Sequence, residues 1–301
     1  MKVEYIIPKN KIDIHNFIKK FENKTFLLKN DKVEIEVKLL KERRIFIKSK
    51  LDFYTIFSLS NEFRIDFFHE KPSFENVYIP SINKSEKYSG SEVVKFVIEF
   101  LKSFKQVKKA YLYDASTINC KNSNDTFSLS LYKLLTSYIG FYQKHGFRLV
   151  INYGKEEDIT NNMVLLAKKV ANYKVKDILE NLKKIINLVE KYKKNVQVKT
   201  IYKYDEYVSI ENLGEFIYIF GFLYFCMMTY KRDKFGKFIE KLNDEKCFML
   251  SQLFDNLNKL RYIEFKYKNK KIIPNFLVDY YKLFLYSYNF GWNGYYMKKI
   301  D

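Results

Sequence analysis

The chain has 301 residues, 47% of them apolar and 18% aromatic, with 26 Tyr and 28 Phe but only 9 Gly and 4 Pro. That is enough apolar side chain for a core and too few chain-breakers for a many-turned β-sandwich, a propeller or a low-complexity chain, and at roughly 100–200 residues per domain it predicts two domains. Lys and Arg number 54 against 35 Asp and Glu, a net charge of +19 that attracts nucleic acid or an acidic membrane surface at low salt.

The lysines are spread along the chain rather than bunched. A composition rich in Lys, Asn, Ile, Tyr and Phe, residues of A/T-rich codons, also supplies basic charge without a polyanionic partner, so a solvated Lys-rich surface competes with a nucleic-acid interface.

The elements follow in chain order. Asp13 to Phe21 predicts a short amphipathic helix capped by Asp13. Val33, Ile35, Val37 and Leu39 alternate with charged residues, the pattern of a half-buried strand. Further β-rich runs at Arg44–Lys48, Phe53–Leu59 and Phe63–Phe68 extend it into an antiparallel meander.

The period then changes. Val93, Val97, Phe100, Leu101 and Phe104 share one helical face, widened by Val94 and Ile98, opposite Glu92, Lys95, Glu99 and Lys102. A strand at Lys109–Asp114 follows. After a polar loop, a second helix is predicted over 128–144, with Leu131, Leu134, Leu135, Tyr138, Phe141 and Tyr142 on its apolar face and Gly146 ending it. Phe147–Tyr153 reads as another strand.

Past Gly154 helical spacing dominates, as in Val175, Ile178, Leu179, Leu182, Ile185, Ile186 and Val189. Phe216 to Met228 is unbroken apolar sequence, shorter than the ~20 residues a bilayer needs. It predicts a fully buried helix and no membrane span. The expected organisation is α+β: an α/β domain at 1–153 and a mainly α-helical domain at 154–301.

Cys120, Cys226 and Cys247 are odd in number, widely spaced, and in no CxxC or Cys/His cluster, so neither a zinc site nor a disulfide framework is expected. The charged opening segment carries no apolar signal core, and a reducing cytoplasm is the expected compartment. No P-loop, Ser-His-Asp signature or HExxH is present, which disfavours NTPase and hydrolase chemistry.

The sharpest local signal is Phe141-Tyr142-Gln143-Lys144-His145-Gly146-Phe147. An aromatic pair followed by Gly-Phe, where a helix enters a strand, resembles the C-terminal signature of the GNAT acyltransferase superfamily. The element order agrees: strand 76–80, a loop at Lys87–Ser91 opening helix 92–105, strand 109–114, then the helix with the signature. The likeness covers about residues 30–153. In its long helical extension and composition the chain looks like divergent GNAT-like proteins of giant DNA viruses, for which host cytoplasm or virion is the implied location.

The resemblance implies a GNAT-like mixed central sheet with flanking helices, and acyl transfer from acetyl-coenzyme A to an amine without a metal. A helix N-terminus offers unpaired N–H groups and the positive end of a dipole to a pyrophosphate. The family's Arg/Gln-x-x-Gly-x-Gly/Ala loop is matched by Lys87 and Gly90, with Ser89 and Ser91 between and beyond them, and these four are the implied coenzyme-binding residues. Glu92 stands where the family has a small residue, and a carboxylate there repels a phosphate. An inactive descendant is therefore an equal implication.

Tyr142 matches the family's thiolate-protonating Tyr; a phenol, pKa ~10, is a competent donor to a thiolate. Its alternative is a packing aromatic on an apolar helix face. Asp114, at a strand end, is the candidate base, with turn capping as its alternative. His145 and His69 titrate near neutrality and read equally as surface histidines. The rival function is a basic nucleic-acid-binding or virion-associated protein, its Tyr and Phe stacking on bases.

Overall fold

A computed structural model describes residues 3–45, 52–58, 63–69, 74–82, 87–112, 117–120, 123–151, 157–191, 196–200, 208–209, 214–260, 263–267, 270–272, 274–288 and 294–300. The protein is α+β. In chain order its elements begin with β1 (Val3–Ile6), α1 (Ile14–Phe21), β2 (Thr25–Lys29), β3 (Glu34–Ile45), β4 (Asp52–Ser58), β5 (Phe63–His69), β6 (Asn76–Ile82), α2 (Gly90–Lys102) and β7 (Lys109–Leu112). Next come β8 (Thr117–Asn119), β9 (Thr126–Ser128), α3 (Leu129–Ser137), a 3-10 turn (Tyr142–His145), β10 (Arg148–Ile151), β11 (Glu157–Asp158), α4 (Thr160–Asn172) and α5 (Val175–Lys191). The remainder is β12 (Val196–Thr200), β13 (Val208–Ser209), α6 (Gly214–Met228), α7 (Phe235–Leu260), β14 (Ile263–Tyr267), β15 (Lys270–Ile272), α8 (Asn275–Tyr288) and β16 (Gly294–Lys299).

Two compact units share the chain, and they are not the halves expected from a cut at Gly154. The first comprises 1–115, 142–159 and 291–301; the second comprises 116–141 and 160–290. The physical reason is β16: it pairs antiparallel with both β7 and β10, so a strand from the far end of the sequence lies inside the first unit's sheet.

That sheet runs β1-β2-β3-β4-β5-β6-β7-β16-β10-β11. The expected meander is present as successive antiparallel pairs from β2 to β6. The run expected at Arg44–Lys48 is, as far as Ile45, the end of β3, which continues through a register shift between Leu39 and Glu42. β6 and β7 are parallel and joined through α2, the crossover a parallel pair requires.

Why α1 and α2 lie on this sheet follows from their faces. Asp13 caps α1, its Oδ1 accepting from the N–H groups of His15 (2.8 Å) and Asn16 (3.2 Å). Phe17 of α1 then meets Phe26 (5.8 Å between ring centres), Phe100 (5.7 Å) and Phe104 (5.2 Å), an aromatic knot in edge-to-face geometry. The predicted apolar face of α2 is buried, Val93 to Leu101, with its charged face outward.

The second unit is mainly helical and also holds a sheet, β13-β12-β14-β15, beside the helices expected there. Gly236 of α7 lies so close to α3 that an added Cβ would come 2.5 Å from the Leu135 carbonyl oxygen. The Asp279 carboxylate is buried and accepts from the Tyr173 hydroxyl (2.6 Å) and the Lys169 ammonium (2.8 Å). Burial first, then that carboxylate, pushes the Tyr173 phenol up to about 12.

Three further expectations are corrected. The helix predicted over 128–144 ends at Ser137, because Tyr138 takes a left-handed conformation (φ 62°) and the chain resumes only as the 3-10 turn. α6 is helical but buried on one side only: Ile219, Leu223 and Met227 are inside, while Tyr218 and Phe225 are 70% and 71% exposed. Among the described residues no helix is long and apolar enough to cross a membrane. Lastly, Cys120 and Cys247 form a disulfide, Cα to Cα 5.6 Å. They are 127 residues apart, so only the packing of β8–β9 against α7 brings them together. The expectation of no disulfide framework is overturned for this pair.

Candidate functional site

The loop entering α2 is held from below. Tyr88 is buried, and its hydroxyl accepts from the backbone N–H of Glu34 on β3 at 3.0 Å. The Lys87 ammonium lies 5.1 Å from the centre of the Tyr88 ring. Ser89 is the N-cap, and a capping box closes on it. The Ser89 N–H and hydroxyl donate to the Glu92 carboxylate at 2.8 and 2.7 Å, and the Glu92 N–H donates back to Ser89 Oγ at 3.3 Å. The Ser89 hydroxyl bond, then its backbone bond, hold the Glu92 carboxyl below the usual carboxylate range.

This arrangement divides the helix-start donors into two sets. Those of Ser89 and Glu92 are committed to the box. The N–H groups of Gly90 and Ser91 have no acceptor among the described residues. They suit a phosphate oxygen. The ionised Glu92 beside them opposes one.

Ser91 leads to the second motif. Its Oγ lies 3.3 Å from His145 Nε2, so the loop and the aromatic–Gly–Phe segment meet at this pair. Burial first, then the charges of Lys95, Lys298 and Lys144, lowers the pKa of His145 below its ordinary 6.5. The neutral imidazole is thereby favoured and can accept the Ser91 proton. The Lys298 ammonium donates to the His145 carbonyl at 2.8 Å, and Gly146 turns the chain with φ +79°, a conformation that favours glycine.

Tyr142 is 4% exposed. Its ring packs between Phe147 (6.0 Å) and Tyr296 of β16 (5.8 Å). Asp114 lies outside the described residues. On β6, the pairing with β7 runs from Asn76↔Lys109 to Ile79↔Leu112 and goes no further among the described residues, while β6 itself continues to Ile82. On its other side β6 shifts register against β5 between Arg64 and Asp66, which sets Ile79 and Pro80 against the single Ile65. Such a bulge bends a strand and sharpens its twist, and Pro80 has no N–H for a ladder. The carboxyl end of β6 therefore bends at Ile79–Pro80.

Of the residues predicted to act, Ser91 is brought against the signature segment, through His145 rather than through Tyr142. Lys87, Ser89 and Gly90 lie at the α2 entrance as expected. His145 was weighed as a surface histidine; it is half-buried, and the signal for its role was its place beside Gly146. No protein-family model, curated protein or solved structure matches this chain.

Proposed function

We propose that the first unit is a GNAT-like acyl-coenzyme A domain, an N-acyltransferase or its degenerate descendant. The observation that carries the reading is the Ser91–His145 contact at 3.3 Å, which joins the two segments that resemble the family's loop and signature. The parallel β6–α2–β7 crossover supports it. In this reading the N–H groups of Gly90 and Ser91, with Lys87, hold the pyrophosphate, and the thioester supplies an activated acyl group. The Tyr142 phenol donates a proton to the departing sulfur, and Asp114 or a water takes the proton of the amine. The Glu92 carboxylate weakens the phosphate site, which is why a degenerate relative belongs to the same proposal.

Calorimetric titration with acetyl-coenzyme A decides whether the ligand binds, and a turnover assay over a panel of amines then separates enzyme from descendant. Tyr142→Phe keeps the ring and removes only the donor. It is expected to lower turnover by about 10²–10⁴-fold with an unchanged melting temperature. Full turnover in that variant would remove Tyr142 from the chemistry.

The second reading, nucleic-acid binding, rests on the net charge of +19 and on the lysines gathered round His145. Its test is salt: phosphate contacts give an affinity falling linearly in log–log form, and binding that vanishes at physiological salt counts against it.

A further inference from the structure

α6 buries only one of its sides in the second unit. Ile219, Leu223 and Met227 are inside, while on the opposite arc Tyr218 is 70% exposed, Phe225 71% and Met228 41%. Helical spacing of seven and three puts these three in one row, and the exposed Gly221 lies on the same face. From Phe216 to Met228 the sequence carries no charged residue. The row is therefore an apolar strip, about 15 Å long at the 1.5 Å rise per residue of a helix. With about 200 Å² for a fully exposed large side chain, it presents roughly 400 Å² to its surroundings.

Cations collect where the strip ends. Lys231 and Arg232 are exposed in the turn after α6, and Lys234 follows them. A single β-bridge sets the exposed Lys174 against Lys234. The turn is fixed in that place: the Val175 N–H donates to the Asp233 carbonyl at 3.0 Å, and the Phe235 N–H to the Tyr173 carbonyl at 2.8 Å. Asp233, the acid among these cations, is paired with Lys241 at 2.9 Å. An apolar strip with a basic end matches an anionic phospholipid surface, whose acyl boundary takes the rings and whose phosphates take the cations. Tyrosine in particular favours that boundary, its ring in the apolar layer and its hydroxyl among the headgroups. A second copy of this chain fits the strip less well. A standard interface takes about 800 Å² from each partner, twice what the strip offers. Each copy would also bring a net charge of +19.

We propose that the second unit docks on anionic membrane surfaces through α6. The helix lies in the plane of the interface, with Tyr218, Phe225 and Met228 entering the headgroup–acyl boundary and Lys231, Arg232 and Lys174 on lipid phosphates. It rests on the bilayer and does not cross it. The surface belongs to the second unit alone and does not depend on the acyl-transfer reading.

The test is flotation of the whole chain, at about 150 mM salt, with vesicles of phosphatidylcholine alone or with about 30% phosphatidylserine. The chain is expected to float with the anionic vesicles and several-fold less with the neutral ones. A charge of +19 alone draws a protein to such vesicles, so the deciding variants change apolar surface and leave the charge as it is. Tyr218→Gln combined with Phe225→Gln is expected to weaken binding roughly tenfold or more. Leu165→Gln, at a side chain 65% exposed on α4, is expected to leave it unchanged. All these side chains are exposed, so the variants should melt as the parent does. Insertion is read separately: on anionic vesicles the added fluorescence of Phe225→Trp should shift to the blue and be quenched by brominated lipid, and that of Leu165→Trp should not. Absence of flotation with anionic vesicles overturns the proposal, as do equal losses in the two glutamine variants or an unquenched Phe225→Trp. A lipid-free dimer in sedimentation that Tyr218→Gln with Phe225→Gln abolishes also overturns it, because the strip would then be an interface between copies.

Discussion

Glu92 and Ser89 satisfy each other so completely that the pair can be tested as a lock on the start of α2. Glutamine at the same position still reaches the Ser89 N–H but carries no charge. Glu92→Gln is therefore expected to preserve the helix and to bind coenzyme A several-fold more tightly than the parent, read by titration. Equal affinity would mean that the carboxylate does not face the ligand. His145 gives a second residue-scale outcome. Its pKa lies below 6.5 in the folded chain, so between that lowered value and 6.5 the unfolded chain binds more protons. Stability should be fully present above about pH 6.5 and decline as pH falls through the folded pKa. Melting temperatures from pH 7.5 to 4.5 should show this fall in the parent. The fall should shrink in His145→Gln, which does not titrate in that range. A parallel fall in both would place the pH dependence elsewhere.

At the scale of elements, what the sequence revealed depended on whether one core dictated the pattern. α2 was legible because its seven buried residues, from Val93 to Leu101, serve one core, and a single capping residue opens it. The segment from Ser128 to Lys144 was misread for the opposite reason. Leu131, Leu134 and Leu135 are buried in the second unit and Tyr142 in the first, so two cores together imitate one helical period. Only the left-handed Tyr138 marks the break, and a tyrosine carries no signal for φ 62°. The disulfide was illegible because its partners share no local spacing. Two glycines show how packing sets the sign of one substitution. Gly236→Ala drives a methyl against the Leu135 carbonyl and should cost about 1–3 kcal/mol. Gly221→Ala, on the open face of α6 with nothing within 4 Å, should stabilise by about 0.4–1 kcal/mol. Paired denaturant melts should show shifts of opposite sign; shifts of the same sign would refute the α3–α7 contact as drawn.

For the whole molecule, β16 decides how the chain divides. Nothing local in Gly294–Lys299 announces that β7 and β10 need it, since strand pairing across 143 or more residues leaves no trace in sequence periodicity; the shortest separation is that of the paired Ile151 and Gly294. In the folded unit Tyr296, Met297 and Ile300 are buried, and the Ile300 N–H donates to the Lys108 carbonyl at 2.8 Å. Burying three such side chains contributes about 1.5–3 kcal/mol each, so roughly 5–9 kcal/mol together before any ladder hydrogen bond is counted. A domain's entire stability is about 5–15 kcal/mol. Deleting residues 291–301 should therefore remove most or all of the first unit's stability. A chain ending at residue 153 should fare no better, although it contains every residue of the GNAT-like resemblance. The second unit's own aromatic core, in which Phe235 lies 4.8 Å from Phe276, is untouched by the deletion. Limited proteolysis of the shortened chain should accordingly cut within 1–115 and 142–159 while sparing α4, α7 and α8. A peptide of residues 291–301 added in excess should restore protection. Protection of the first unit without that peptide would show that β7 and β10 can close the sheet without their central strand.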